Sequence, residues 1–178
     1  AWQVARMNTY ADNHGYHPFV AVQNEWSIVE RSHEPEFLPM CKELDIGITC
    51  WSPLHGGLVS GKYTKDKLNK GEPNRVLQHV EDNNEFWFNA TQRNLSILNE
   101  LSDTFDAINE PWAAISLRWL MQQKDLVSIP IFSVRTFEQL QESLRAVHFE
   151  LTDKEFSDIT NKTTKAIQSV LPEYGPYP

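Results

Sequence analysis

The sequence predicts an α/β fold organised on a parallel sheet, and two observations carry that prediction. Three short apolar runs, Phe19 to Gln23, Gly47 to Trp51 and Val127 to Phe132, lack clean polar alternation, the pattern of parallel strands buried on both faces. Segments with apolar residues at helical spacing lie before, between and after these runs. The chain has 178 residues, enough for one domain with a hydrophobic core.

Composition narrows the function. A formal net charge of −8 argues against nucleic acid or an anionic membrane as the main partner. No run approaches the roughly 18 apolar residues of a membrane span. The opening AWQVARMNTYADNHG has neither the basic start nor the apolar core of a signal peptide. Cys41 and Cys50 fall in apolar patterns and read as buried free thiols of a reducing compartment, the cytoplasm. The six tryptophans point to bulky core or pocket material rather than disorder.

Taken in order, Trp2, Val4, Ala5, Met7, Tyr10 and Ala11 recur near helical spacing, and Gly15 is placed to cap that helix. The chain enters this helix with no methionine and no N-cap ahead of it, so a missing beginning is expected. His17-Pro18 turns into the first strand. Glu34-Pro35-Glu36 opens the next helix, with proline in the first turn and acids at the positive dipole end. Phe37, Leu38, Met40, Cys41 and Leu44 form its apolar face, and Gly47 lies just past its end.

The second strand stops at Ser52-Pro53, because proline has no backbone N–H to donate. Residues 64–89 are polar and weakly periodic, and are expected to form a long mobile loop. A helix follows from Ala90 to Phe105. Glu110-Pro111 starts another, apolar on nearly all sides and therefore expected to be well buried. After the third strand, Ser133 to Leu140 begins a helix running to about Val147. Thr152 and Glu155 form the capping box of a final helix. Residues 172–178, with three prolines, read as an extended tail. The whole, 1–178, reads as one unit.

The most informative stretch is the loop after the second strand, Leu54-His55-Gly56-Gly57-Leu58-Val59-Ser60-Gly61-Lys62. Glycines let backbone N–H groups approach a ligand, and a neighbouring lysine suits a phosphate. A glycine-rich surface loop without a ligand is the plain alternative. It is not a Walker loop: Gly56 is suitably spaced from Gly61-Lys62, but Tyr63 replaces the Ser/Thr that would hold Mg²⁺. Nor does it have the spacing of the three-glycine dinucleotide fingerprint. The six histidines show no metal-ligand spacing, and no Gly-x-Ser-x-Gly elbow occurs.

Trp51-Ser52-Pro53-Leu54, continuing to Gly57, Ser60, Gly61, Lys62 and Tyr63, resembles the seventh strand and following loop of aldo-keto reductases. The likeness is nearest to the branch that includes bacterial reductases and potassium-channel β subunits. Gln23-Asn24-Glu25-Trp26-Ser27 resembles the end of that family's sixth strand, and Ser133 to Leu140 the junction after its eighth. The family is a (β/α)8 barrel that binds NADPH without a glycine fingerprint. A complete barrel needs about 250 residues. The resemblance therefore implies the C-terminal portion of a (β/α)8 TIM barrel, strands six to eight with flanking helices.

The same resemblance assigns roles. Trp51 would stack on the nicotinamide and Gln23 would bond its carboxamide, the alternative for Gln23 being a glutamine that merely ends a strand. Ser52, Pro53, Leu54, Gly57 and Lys62 would line or contact the pyrophosphate, and Arg75 would lie on the adenosine side. The junction at Ser133 binds the 2′-phosphate and adenine in the family, which puts Arg135 on the phosphate with Gln139 and Glu142 near the adenosine. A helix N-terminus and a bidentate guanidinium both suit that anion. A solvated charge at a helix start is the alternative for Arg135. Two departures stand out: Ser133 replaces the usual glycine and Ser143 the usual asparagine.

The family's Asp, Tyr, Lys and His tetrad comes from its first four strands, and no residue of this chain matches it. The expected function is thus the cofactor-binding half of an NADP-dependent oxidoreductase that reduces an aldehyde or ketone, inactive by itself. The alternative is a non-catalytic half-barrel acting as a nucleotide-binding or assembly module. Either way, an N-terminal half-barrel or a second copy of the chain is the expected partner.

Overall fold

The computed structural model describes residues 1–63 and 84–170. In chain order the elements are α1 (Trp2–His14), β1 (Ala21–Glu25), α2 (Glu34–Glu43), β2 (Gly47–Trp51), a 3-10 turn (His55–Ser60), α3 (Asn84–Ile108), α4 (Trp112–Met121), β3 (Ser128–Ile131), α5 (Phe137–Leu144) with a 3-10 extension (Arg145–Val147), and α6 (Asp153–Val170). Residues 64–83 of the loop expected over 64–89, and the tail expected over 172–178, lie outside the described residues, while 84–89 are helical.

Local chemistry explains most boundaries. Gly15 takes a left-handed φ of 69° and donates its N–H to Ala11, closing α1. Pro35 stands in the first turn of α2 with Glu34 and Glu36 beside it. The capping box of α6 forms as expected: the Glu155 N–H donates to Thr152 Oγ1 at 3.2 Å, and the Thr152 N–H donates to Glu155 Oε2 at 2.7 Å.

Three boundaries differ from expectation. β1 begins at Ala21 rather than Phe19, because Asn8 of α1 takes both backbone polar groups of Phe19, accepting its N–H at 2.8 Å and donating to its carbonyl at 3.0 Å. α3 begins at Asn84 rather than Ala90, and no glycine or proline interrupts the sequence from there to Ile108. α5 begins at Phe137 rather than Ser133, because Thr136 is extended and its hydroxyl caps the Gln139 N–H.

The three strands form a parallel sheet in the order β1-β2-β3. Ala21 pairs with Gly47 and Glu25 with Trp51; Ile48 pairs with Ser128 and Trp51 with Ile131. The expectation that these strands are buried on both faces is not met. Ile48 and Cys50 point into a core that includes Trp26, Leu58, Leu98, Phe105, Trp119 and Ile159. On the opposite face Trp51 is 44% exposed, Ile129 52% and Ile131 46%. The described helices cover one side of the sheet, so alternate side chains of each strand meet different surroundings.

α4 is the buried helix its composition predicts, with Ala113 to Leu117, Trp119 and Leu120 all inside. Both cysteines are buried free thiols. Among the described residues no helix is long and apolar enough to cross a membrane.

Arg31, in the β1–α2 connection, ties this first part of the chain to α6. Its Nε and Nη2 donate to the two carboxylate oxygens of Glu34 at 2.6 and 2.7 Å. Its Nη1 donates to the Thr160 carbonyl and to the hydroxyls of Thr163 and Thr164 at 3.0, 2.6 and 2.9 Å. The side chain is 10% exposed and its guanidinium carbon lies 5.3 Å from the centre of the Trp119 ring. Replacing it would leave Glu34 without its cation and remove the guanidinium's bonds to Thr160, Thr163 and Thr164. Arg31→Met is expected to cost about 3 kcal/mol, the scale of breaking a largely buried pair, read as a lower urea midpoint.

Candidate functional site

The carboxyl ends of β2 and β3 open onto a cleft of about 410 Å³. One wall is the turn after β2. Ser52 and His55 are non-glycine residues with φ of 53° and 47°, each strained by about 1–2 kcal/mol in that region. Gly56 and Gly57 follow with φ of 66° and 93°. The His55 N–H donates to the Ser52 carbonyl at 2.8 Å and the Gly57 N–H to the Leu54 carbonyl at 2.9 Å. The Ser60 hydroxyl donates to the Gly57 carbonyl at 2.6 Å. Among the described residues, a Cβ on Gly56 or Gly57 would meet nothing within 4 Å beyond its own chain neighbours, so none of them closes the space beside this backbone.

Gly61 has the opposite surroundings. A Cβ there would lie 3.2 Å from the Trp112 ring, and its φ is 76°. Glycine lets the turn seat on α4, and this seat delivers Lys62 and Tyr63 to the cleft.

The second wall is the β3–α5 junction, from Ile131 through Arg135 to Gln139, Glu142 and Ser143. The Arg135 N–H donates to Gln139 Oε1 at 2.9 Å, and the Ser143 hydroxyl to the Gln139 carbonyl at 2.8 Å. The start of α5 is less vacant than its sequence suggests. Besides the Thr136 cap, bonds from its own backbone N–H and from the Thr136 hydroxyl push the Glu138 carboxyl down from its ordinary pKa.

Among the described residues neither the Lys62 ammonium nor the Arg135 guanidinium has an ion-pair partner. Both are exposed, and among the described residues Glu142 is the one acid that lines the cleft with them. In a chain of net charge −8, such a spot is a local attractor for anions. Among the described residues no group of three His, Cys, Asp or Glu is arranged to hold a metal ion.

Of the residues singled out in the sequence, Ser52, Pro53, Leu54, Gly57, Lys62, Ser133, Arg135, Gln139 and Glu142 line this cleft together. Gln23 and Trp51 do not. They lie on the uncovered face of the sheet, where Trp51 pairs in register with the cleft residue Ile131. Arg75 lies outside the described residues.

Sequence reasoning missed Gly56, Ser60 and, behind the turn, His55. His55 Nε2 lies 3.0 Å from Asn94 Nδ2, and its Nδ1 lies 3.8 Å from Glu25 Oε1. Burial pushes the His55 pKa below its ordinary 6.5, with Glu30 opposing and Arg93 reinforcing the shift. Burial, helped by the Glu30 charge, pushes Glu25 above its ordinary 4.5.

A cleft at the carboxyl ends of parallel strands, walled by a glycine turn and a helix start, lies where α/β proteins place their ligand sites. Residues 1–164 match the Aldo/keto reductase family, and the chain belongs to that family. It is 29% identical over 160 residues to an uncharacterized oxidoreductase, YrpG, of Bacillus subtilis, an alignment covering 90% of this chain and 45% of that protein. It is 28% identical over 155 residues to a probable aldo-keto reductase of Glycine max, covering 87% and 43%. Norsolorinic acid reductase B of Aspergillus parasiticus is 29% identical over 164 residues, covering 90% and 40%. The chain thus spans less than half the length of each of these relatives.

The two shifted groups oppose each other in their effect on stability. The unfolded chain protonates His55 at about pH 6.5, before the folded chain does, so His55 removes stability as pH falls through that value. Glu25 binds its proton more tightly when folded, so it returns stability as pH falls towards 4.5. Urea midpoints measured from about pH 7 to about pH 5 should therefore decline less in His55→Gln and more steeply in Glu25→Gln than in the wild-type chain.

Proposed function

We propose that this chain is the cofactor-binding, C-terminal portion of an NADP-dependent aldo-keto reductase, comprising strands six to eight of a (β/α)8 barrel. By its motifs it stands nearest the branch of bacterial reductases and potassium-channel β subunits. The observation that carries the reading is the cleft itself, where a glycine turn with open space beside its backbone faces an arginine at a capped helix start. These features fit a dinucleotide phosphate: backbone and Lys62 for the pyrophosphate, and the Arg135 fork for a further phosphate. The relatives named as oxidoreductases and reductases support the same chemistry.

The nicotinamide, when bound, supplies the hydride that reduces an aldehyde or ketone. The chain's part is to hold and orient. Lys62 neutralises phosphate charge, and the residues from Ser52 to Gly57 shape the approach. Trp51 offers a flat aromatic face and Gln23 an amide on the uncovered side of the sheet, where the ring would lie. The proton taken up by the carbonyl oxygen is assigned to the family's Asp, Tyr, Lys and His tetrad, which this chain does not contain. Arg135→Ala should weaken NADPH binding by about 1.5–3 kcal/mol, the range for a charged hydrogen bond, and leave NADH nearly unchanged in titrations. Equal loss for both would remove Arg135 from the 2′-phosphate.

The uncovered sheet face supports a second part of the proposal. Trp51, Ile129 and Ile131 lie exposed there. Burying one Val or Ile side chain is worth about 1.5–3 kcal/mol, against a net stability of about 5–15 kcal/mol for a typical domain. We infer that this face closes against a complementary half-barrel, either further chain of the same protein or a second copy. Sedimentation of these 178 residues should show self-association or partial unfolding, and NADPH consumption with carbonyl substrates should be absent. A stable monodisperse monomer, or turnover by it, would sink the half-barrel reading.

A further inference from the structure

Behind the glycine turn, side chains from three elements line up donor to acceptor. Arg93 on α3 donates its Nε–H to Asn94 Oδ1 at 3.0 Å. That bond fixes the Asn94 amide, so its nitrogen, which only donates, faces His55 Nε2 at 3.0 Å. Nε2 must therefore accept, and the ring's proton belongs on Nδ1, 3.8 Å from Glu25 Oε1 of β1. Asn94 is 1% exposed, and among the described residues His55 Nδ1 is buried without a hydrogen bond.

The backbone supplies an independent observation. His55 is held at φ 47°, a conformation that persists in a non-glycine residue only where its surroundings over-determine it. Its neighbours Leu54 and Gly56 line the cleft while its own ring turns away to Asn94.

We propose that His55 is a positioning residue: as the neutral Nδ1–H tautomer, anchored by Asn94 and facing Glu25, it holds the strained turn in the shape that receives the pyrophosphate. The proposal rests on the dinucleotide reading above. Protonation would put a hydrogen on Nε2 against the Asn94 amide donor and break the anchor. Glu25 and Glu30 favour that charge; Arg93 and burial oppose it.

The test uses NADPH and adenosine 2′-monophosphate, which keeps the 2′-phosphate but lacks both phosphates of the pyrophosphate. His55→Ala should weaken NADPH about tenfold, as expected if the receptive turn falls to a tenth of its population, and leave the monophosphate unchanged. His55→Gln should restore most of the loss, because its amide both accepts from Asn94 and donates towards Glu25. The ¹⁵N spectrum of the wild-type imidazole should show the proton on Nδ1. Asn94→Asp replaces the donor by an acceptor that prefers the imidazolium. Relative to wild type, NADPH affinity in that variant should strengthen rather than weaken from about pH 8 to about pH 5.5.

A wild-type chain whose circular dichroism shows its helices folded, yet which binds neither nucleotide, overturns the dinucleotide reading and the proposal with it. If NADPH binds, three results overturn the proposal alone: a proton on Nε2, equal weakening of both ligands by His55→Ala, or an unchanged pH dependence in Asn94→Asp. Should His55→Ala fail to fold, the spectrum and the Asn94→Asp profile decide.

Discussion

Arg31 joins residues up to 133 positions apart in sequence, and the strand ends depend on that union. Its guanidinium meets Glu34 three residues on and Thr160, Thr163 and Thr164 on the last helix. Trp26 adds a bond from its indole N–H to Glu34 Oε1 at 2.9 Å, and Trp119 one to Thr160 Oγ1 at 2.9 Å. The two indoles meet edge to face at 6.0 Å. A cation so far removed from water is tolerable because its donors find acceptors and its flat face finds a ring. The connection it pins runs directly from β1, so it also sets where Glu25 and Glu30 stand relative to His55.

From that frame the cleft follows by short steps. β2 is centred in the sheet, and Pro53 denies the ladder another donor just past its end. The chain must reverse there, and it does so through two strained residues and two glycines rather than through glycines alone. Strain at Ser52 and His55 needs compensation from their surroundings, and the hydrogen bonds within the turn, the Asn94 anchor and the contact of Gly61 with Trp112 provide it. Because α4 is almost wholly buried, Trp112 gives the turn a fixed seat. One wall of the cleft is therefore held by the core, and the other by the capped start of α5.

What the sequence revealed follows the range of the interactions involved. Local signals were legible: Gly15, the Pro35 turn, and Thr152 with Glu155 each act within four residues, and each appears as read. Nine of the residues that line the cleft came from a resemblance carried by two short motifs that are far apart in the chain, and the fold brings them together. Long-range pairings were not legible. His55 and Asn94 are 39 positions apart, and neither belongs to a motif that announces the other. The clamp of Asn8 on Phe19 moved the start of β1 for the same reason. Short apolar runs such as Ser128–Ile131 suggested burial on both faces because composition records how apolar a strand is, not whether anything covers it.

The uncovered face and the cleft meet at Trp51 and Ile131, paired neighbours on β2 and β3. On one side of this meeting the surface is polar and cationic, with Lys62 and Arg135; on the other it is apolar and aromatic, with Trp51, Ile129 and Ile131 exposed. A ligand spanning both would need anionic groups at one end and a flat, weakly polar ring at the other. The sheet imposes that order, because alternate residues of a strand face opposite sides while the carboxyl ends carry the loops. Trp51, the last residue of β2, belongs to the open face, and Ser52, the first beyond it, lines the cleft. The break between the two chemistries therefore falls at one peptide bond, the bond that enters the first left-handed residue of the turn.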